Sequence, residues 1–235
     1  MKKKHGKKYV EAKKLVDKAT YTIDEAVILL KKTSVTKFDG SVEAHFSLGV
    51  DPKQADQNIR STVDLPHGTG KEVRVIAFVG EDKVKACKAA GATYAGTEEL
   101  IEKVNDGWLD FDVAIATPDQ MKALGKVAKT LGQKGLMPNP KSGTVTMNPE
   151  KTIGEIKKGK IEIRVDKLAN LHNIFGKVSF SDDQLRDNLK SLIKAVLDHK
   201  PASAKGTYIK SITVTTTMGP GIPLEVNTAL VDTKK

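Results

Sequence analysis

Glu72-Val73-Arg74-Val75-Ile76-Ala77-Phe78-Val79 is an almost unbroken apolar run in a chain that otherwise alternates. A run of this kind is the pattern of a strand covered on both faces. After it, Asp82 to Ala90 reads as a helix stopped by Gly91. Tyr94 lies in a short second strand, and Thr97 to Asn105 reads as a helix. Asp112 to Ala116 is a third buried strand, and Pro118 opens a third helix. Strand and helix alternate, which predicts a small open α/β sheet with helices on both sides.

The flanks are written differently. Thr22-Ile23-Asp24-Glu25 is a capping box. Ile23, Ala26, Val27 and Leu30 follow it at helical spacing. In Val42 to Val50, one face holds Val42, Ala44, Phe46, Leu48 and Val50, and the other Glu43, His45 and Ser47. This is a strand with one buried side. Asn58 to Leu65 reads as a second such strand. Beyond Gly159, Ile161, Ile163 and Val165 alternate with Lys160, Glu162 and Arg164, and Lys177 to Phe180 reads as a short strand. Ser181 to Gln184 repeats the capping box, and Leu185, Leu189, Leu192, Ile193, Val196 and Leu197 form one helical stripe. Neither flank alone supplies enough elements to close a core. The expectation is therefore a discontinuous two-layer α+β domain from residues 1–68 and 159–235, with an α/β domain, residues 69–158, inserted into it. The crossings carry Gly68, Gly70 and Gly159, which read as a hinge.

Thr207 to Thr217 reads TYIKSITVTTT, followed by Met218-Gly219-Pro220-Gly221. In an extended strand Ser211, Thr213, Thr215 and Thr217 form one row of hydroxyls, while Tyr208, Ile212 and Val214 face the other way. Such a row is a poor core face and a suitable surface for a sugar-phosphate chain. It is equally the pattern of a half-exposed edge strand, since Thr has high strand propensity. The formal net charge of +10 and pI near 9.4 favour a nucleic-acid partner. Only 5% of residues are aromatic, which argues against binding mainly by base stacking. The basic start, MKKKHGKKYVEAKKLV, leads into no apolar run and reads as a solvated tail or an added RNA contact. No stretch is apolar enough to cross a bilayer, and the single cysteine, Cys87, points to a reducing, cytoplasmic setting.

Enzyme signatures are missing across several reaction classes. Val79-Gly80-Glu81-Asp82 lacks a Gly-x-Gly-x-x-Gly turn, and its two acids would repel a pyrophosphate. In Gly68-Thr69-Gly70-Lys71, Glu72 stands where a P-loop needs Ser or Thr. The five His are scattered, without metal-ligand spacing, and His199 reads as a helix C-terminal cation. No cofactor is expected. Leu131 to Val145 is a Gly- and Pro-punctuated loop that either holds a phosphate through its two Lys and its Gly amides or simply closes the small domain. Phe38, as a lone aromatic, reads as core; beside Lys37 and Ser41 it reads as a platform for a ribose or base.

The segments TKFDGSVE, DQNIRSTVDLPHGTGK, DGWLDFDVAIATPDQM, LGQKGLMPNPKSGTV and TYIKSITVTTTMGPG together resemble the bacterial form of the L-one family, the first-numbered protein of the large ribosomal subunit. The resemblance runs from about Lys7 to Gly221. It implies an outer domain from both termini and a Rossmann-like three-layer insert. It also implies binding to the mobile stalk of large-subunit rRNA beside the tRNA exit site, assistance in tRNA release, and repression of translation through the chain's own operon mRNA. The implied RNA contacts are Lys37, Phe38, Ser41, Glu43 and His45 on one side, and Ser211, Thr215, Thr217, Met218 and Gly219 on the other. Lys167, Lys177 and Ser179 are further candidates. A ribosome-bound, cytoplasmic protein, monomeric when free and without catalytic or metal-binding residues, is the expectation.

Overall fold

The computed structural model describes residues 6–233 of the 235; His5 and the lysines before it lie outside the described residues. In chain order the elements are α1 (Lys7–Lys14), α2 (Ile23–Lys32), β1 (Ser41–Leu48), β2 (Arg60–Asp64), β3 (Val75–Phe78), α3 (Glu81–Ala89), β4 (Tyr94–Gly96), α4 (Glu98–Asn105), β5 (Val113–Ala116), α5 (Met121–Leu124), α6 (Ala128–Gln133), α7 (Pro149–Lys158), β6 (Lys160–Arg164), β7 (Asn170–Lys177), α8 (Asp182–Asp198), β8 (Ile209–Thr216), β9 (Ile222–Leu224) and α9 (Val226–Asp232). The fold is mixed α/β. The chain divides into two compact units, Met1–Gly70 with Ile161–Lys235, and Lys71–Lys160.

The outer unit is built on a four-stranded antiparallel sheet, ordered β7-β1-β8-β9, beside a two-stranded sheet of β2 and β6. Strict alternation in β1 sends Val42, Ala44, Phe46 and Leu48 inward. Ile212 and Val214 of β8 do the same. Helices α2 and α8 cover that face. Both capping boxes form: Thr22 with Glu25, and Ser181 with Gln184. Each satisfies two helix-end amides reciprocally and fixes where the apolar stripe begins. Val27 and Leu30 of α2 then meet Leu185, Leu189, Leu192 and Ile193 of α8 in one continuous core.

Two elements of the outer unit differ from the sequence expectation. The segment Lys177 to Phe180 is not a strand; the strand is β7, and it ends at Lys177. Its pattern is obscured because Ile174 faces outward, Asn173 faces inward, and a register shift lies opposite Val42 and Glu43. The Thr-rich strand β8 is not an edge. It lies between β1 and β9, and from Ile212 to Val214 it is paired on both sides.

In the insert, β4-β3-β5 form a parallel sheet. The apolar run of β3 serves two cores at once. Ile76 and Phe78 pack with Leu100, Ile101 and Val104 of α4, whereas Val75, Ala77 and Val79 pack with Cys87 of α3 and Ile153 and Ile156 of α7. Three layers result. The helix expected from Pro118 is broken into short pieces: a 3₁₀ turn at Pro118–Gln120, α5, a second 3₁₀ turn at Gly125–Val127, and α6. Gly125 costs the helix about 1 kcal/mol relative to Ala. The break still leaves Leu124, Val127 and Leu131 buried together.

Candidate nucleic-acid interface

The helices cover one face of the outer sheet, and its other face is open. Along that face β1 contributes Ser41, Glu43, His45 and Ser47. The register sets Ser41 opposite Lys177. It sets Glu43 between Ile174 and Thr215, His45 between His172 and Thr213, and Ser47 between Asn170 and Ser211. The surface is thus a grid of hydroxyl, imidazole and amide groups. Its cations are sparse: Lys177 is held by its Nζ donating to Ser41 Oγ at 3.1 Å.

At the Ser41 end, two loops lie side by side. A methyl group on Gly40 would stand 3.5 Å from Cβ of Thr217. The Ser41 amide donates to Thr217 Oγ1 at 2.9 Å, and the Thr217 amide donates to the Ser41 carbonyl at 3.0 Å. Thr215 Oγ1 is within donating distance of the Gly219 and Pro220 carbonyls, both at 3.2 Å. Thr215 and Thr217 therefore shape the turn with the same hydroxyls that were expected to meet a ligand. Each hydroxyl oxygen retains acceptor capacity.

The turn places Met218 in the left-handed region, φ +62°, with its side chain 75% exposed. Gly219 has no space for a side chain: a Cβ there would lie 2.3 Å from Thr216 Oγ1. Across the gap Phe38 is 64% exposed, which overturns its reading as core. Its loop is tied down by Asp39, whose carboxylate accepts from the Ser179 amide at 3.0 Å and from Ser179 Oγ at 2.8 Å. Lys37 is exposed beside it. Lys37, Phe38, Ser41, Lys177, Ser179, Thr217, Met218 and Gly219 thus gather at one end, with Glu43 and Thr215 next to them.

Ser211 and Lys167 do not join this group. Ser211 pairs with Ser47, and Lys167 lies in the turn leading to Asn170, at the other end of β1. At 3.3–3.4 Å per residue the two ends of β1 are about 20 Å apart. His172, Ile174 and Asp39 face the surface and were missed by sequence reasoning. The Leu171–Phe175 spacing is a signal for β7, but Ile174 and Asn173 between them invert the expected alternation.

His45 sits in the middle of the grid. Burial holds its pKa below the usual imidazole value; His172 lowers it further, and Glu43 opposes the shift. The two rings approach Nδ1 to Nδ1 at 2.8 Å. Glu43 Oε2 lies 3.7 Å from His45 Nε2, and Asp166 Oδ2 3.6 Å from His172 Nε2.

The crossing glycines have distinct surroundings. Gly68 (φ +64°) gives its carbonyl to Asn188 Nδ2 at 2.8 Å. Gly70 (φ +71°) packs so closely that a Cβ would meet Lys177 Cγ and Phe180 Cε1 at 2.8 Å. Gly159 ends α7 in the left-handed conformation, φ +118°.

The helix after β3 begins with Glu81 and Asp82, as the sequence indicated. The loop from Leu131 to Val145 closes on itself: Asn139 Oδ1 accepts from the Lys141 amide at 2.8 Å, and Val145 bridges to Ala116. Among the described residues, no helix is long and apolar enough to cross a membrane. A sequence model of the ribosomal protein L1p/L10e family matches residues 30–220, well over half of the chain.

Proposed function

The chain belongs to the ribosomal protein L1p/L10e family, and from that premise we propose that its outer unit grips the mobile stalk of large-subunit rRNA through the open face of the sheet. Membership in this family makes the chain a structural constituent of the ribosome that binds ribosomal RNA; the family is structural rather than enzymatic. The observation that carries the finer reading is the paired arrangement at the Ser41 end. Exposed Phe38 and Met218 stand on two loops locked together through Ser41 and Thr217. An aromatic ring and a thioether offer sequence-tolerant contact with bases or riboses, and the hydroxyl grid offers partners for 2′-OH groups. Glu43 fits a 2′-OH or base amino donor better than a phosphate.

In the same proposal the protein is cytoplasmic and ribosome-bound, lies beside the tRNA exit site, and assists release of deacylated tRNA. It binds a similar RNA structure in its own operon mRNA and represses translation, and it is a monomer when free. Gly68, Gly70 and Gly159 serve as the hinge between the units; the insert, residues 69–158 in this reading, takes little part in RNA binding.

Filter binding of stalk RNA to the full chain tests this. Phe38→Ala, Met218→Ala and Thr217→Ala should each weaken binding. A lost base or ribose contact is worth about 1–3 kcal/mol, roughly 5- to 150-fold. Lys134→Ala and Lys141→Ala in the insert should have little effect. The reverse ranking would overturn the assignment. Titration of the chain into a translation reaction programmed with its own operon mRNA tests the repressor role: continued synthesis at saturating protein would remove it.

A further inference from the structure

We propose that His45 and His172 form a binding site for a borderline divalent transition-metal ion of the zinc(II) class on the open face of the outer sheet. The two residues are directly opposite one another in the β1–β7 register. Their rings turn toward each other, with Nδ1 to Nδ1 at 2.8 Å. Each outer nitrogen faces a carboxylate: Glu43 for His45, and Asp166 for His172. At 2.8 Å the two Nδ1 atoms share an N–H···N hydrogen bond, one ring donating and the other accepting. A metal ion that displaces the shared proton would take a lone pair from each ring at the same point.

A ligating His almost always donates its second N–H to a carboxylate, carbonyl or water; Glu43 and Asp166 stand 3.7 and 3.6 Å from the outer nitrogens, within a small movement of that role. Asp166 is held in place for this role. Its Oδ1 accepts from the Leu168 amide at 2.8 Å and from the Asn170 amide at 2.7 Å, leaving Oδ2 directed at His172. With Zn–N bonds of about 2.0–2.1 Å in a tetrahedral shell, the two nitrogens should sit about 3.3 Å apart. A small outward rotation of the rings reaches that separation.

No cluster of three or more His, Cys, Asp or Glu suited to an ion occurs among the described residues. The pair therefore supplies two ligands, and water completes the shell. Those water positions face outward, on a surface whose central charged side chain is Glu43. A divalent ion there would offset that carboxylate and give a phosphate oxygen a place to bind. The site itself does not depend on the RNA reading, and its test needs no RNA.

The test is calorimetric titration of zinc chloride into the full chain, its His45→Gln and His172→Gln variants, and Asp166→Asn. The expected result is one saturable equivalent in the native chain. Either Gln substitution should abolish it, and Asp166→Asn should weaken it about 10- to 100-fold. A second reading uses the native chain alone, so it holds even if a variant fails to fold. Cobalt(II) should selectively broaden the imidazole NMR signals of His45 and His172. Saturable binding that survives both Gln substitutions, heats that never saturate, or broadening confined to His67 or His199 would overturn the proposal.

Discussion

Replacing Asn188 by Ala should be the most damaging single polar truncation in the outer unit. Asn188 is fully buried in α8, within a stripe that is otherwise apolar. Its side chain makes three bonds. Oδ1 accepts from the His67 amide at 3.0 Å, and Nδ2 donates to the Gly68 carbonyl and to the Phe175 carbonyl, both at 2.8 Å. It thus ties the outgoing crossing to α8 and to the end of β7. Stranding a buried backbone group costs about 1–3 kcal/mol. The Phe175 carbonyl is buried and incurs that cost; water can replace part of the loss at the half-buried His67 and Gly68 groups. With the small cavity added, we expect about 2–4 kcal/mol. At about 2–4 °C per kcal/mol for a chain of this size, the unfolding temperature should fall by about 5–15 °C. Urea denaturation and thermal melting measure this, and hydrogen exchange at the His67 amide should accelerate beyond the global effect. Asn188→Leu separates packing from polarity, because it keeps volume in the stripe while removing all three bonds. If Asn188→Leu is as stable as the native chain, or Asn188→Ala costs less than about 0.5 kcal/mol, a level typical of surface changes, the clamp has no energetic content.

Three further outcomes are expected. Gly219→Ala sets a methyl 2.3 Å from Thr216 Oγ1, in a residue only 2% exposed; overpacking should cost about 1–3 kcal/mol, and an unchanged melting curve would contradict this. His45 has a folded pKa below its unfolded value, mainly through burial. Its contribution to stability is therefore present above about pH 6.5 and lost as pH falls through the lower folded value; melting over that window should show a steeper decline for the native chain than for His45→Gln. Burial raises the Tyr208 pKa to about 12, and its hydroxyl donates to the Val196 carbonyl at 2.9 Å. The phenol is neutral in the fold, so its stabilisation holds below about pH 10 and is lost as pH rises through the folded value. Phenolate absorbance should show one of the four tyrosines ionising last, and a Tyr208→Phe variant should lack that step.

The parts of the fold that were legible in the sequence are those where one physical demand acts alone. β1 needs only a buried face, so its alternation is clean; β3 is covered on both sides, so its apolar run is continuous. The capping boxes are local chemistry, written within four residues. β7 was not legible because two demands meet there. Asn173 turns inward to donate to the Glu162 carbonyl at 2.8 Å, and Ile174 is left on the open face. Asn188 was equally hidden. Its partners are the backbones of His67, Gly68 and Phe175, and no local pattern announces a side chain that bonds to distant main chain. In the candidate site, the hydroxyl row of β8 could be read from spacing, but the lock between Ser41 and Thr217 could not, since 176 positions separate them.

The central position of β8 changes what this surface can offer a ligand. An edge strand would present unpaired amides and carbonyls, which recognise any extended backbone and carry little selectivity. Here β1 pairs along β8 and β9 covers the other edge from Ile212 to Val214, so over that length only side chains and the turn beyond remain available. Charge adds little selectivity on the grid itself, where Lys177 and Glu43 are of opposite sign. Across the sequence, the outer unit carries 24 Lys and Arg against 17 Asp and Glu, and the insert 15 against 12. The net excess on the outer unit can draw in a polyanion over a distance of about a Debye length. In the RNA-binding mode proposed above, attraction and discrimination would therefore fall to different residues. In that mode the diffuse lysines would set how strongly salt weakens binding, while Phe38, Met218 and the hydroxyls would decide which folded RNA fits, by contacts that salt does not screen.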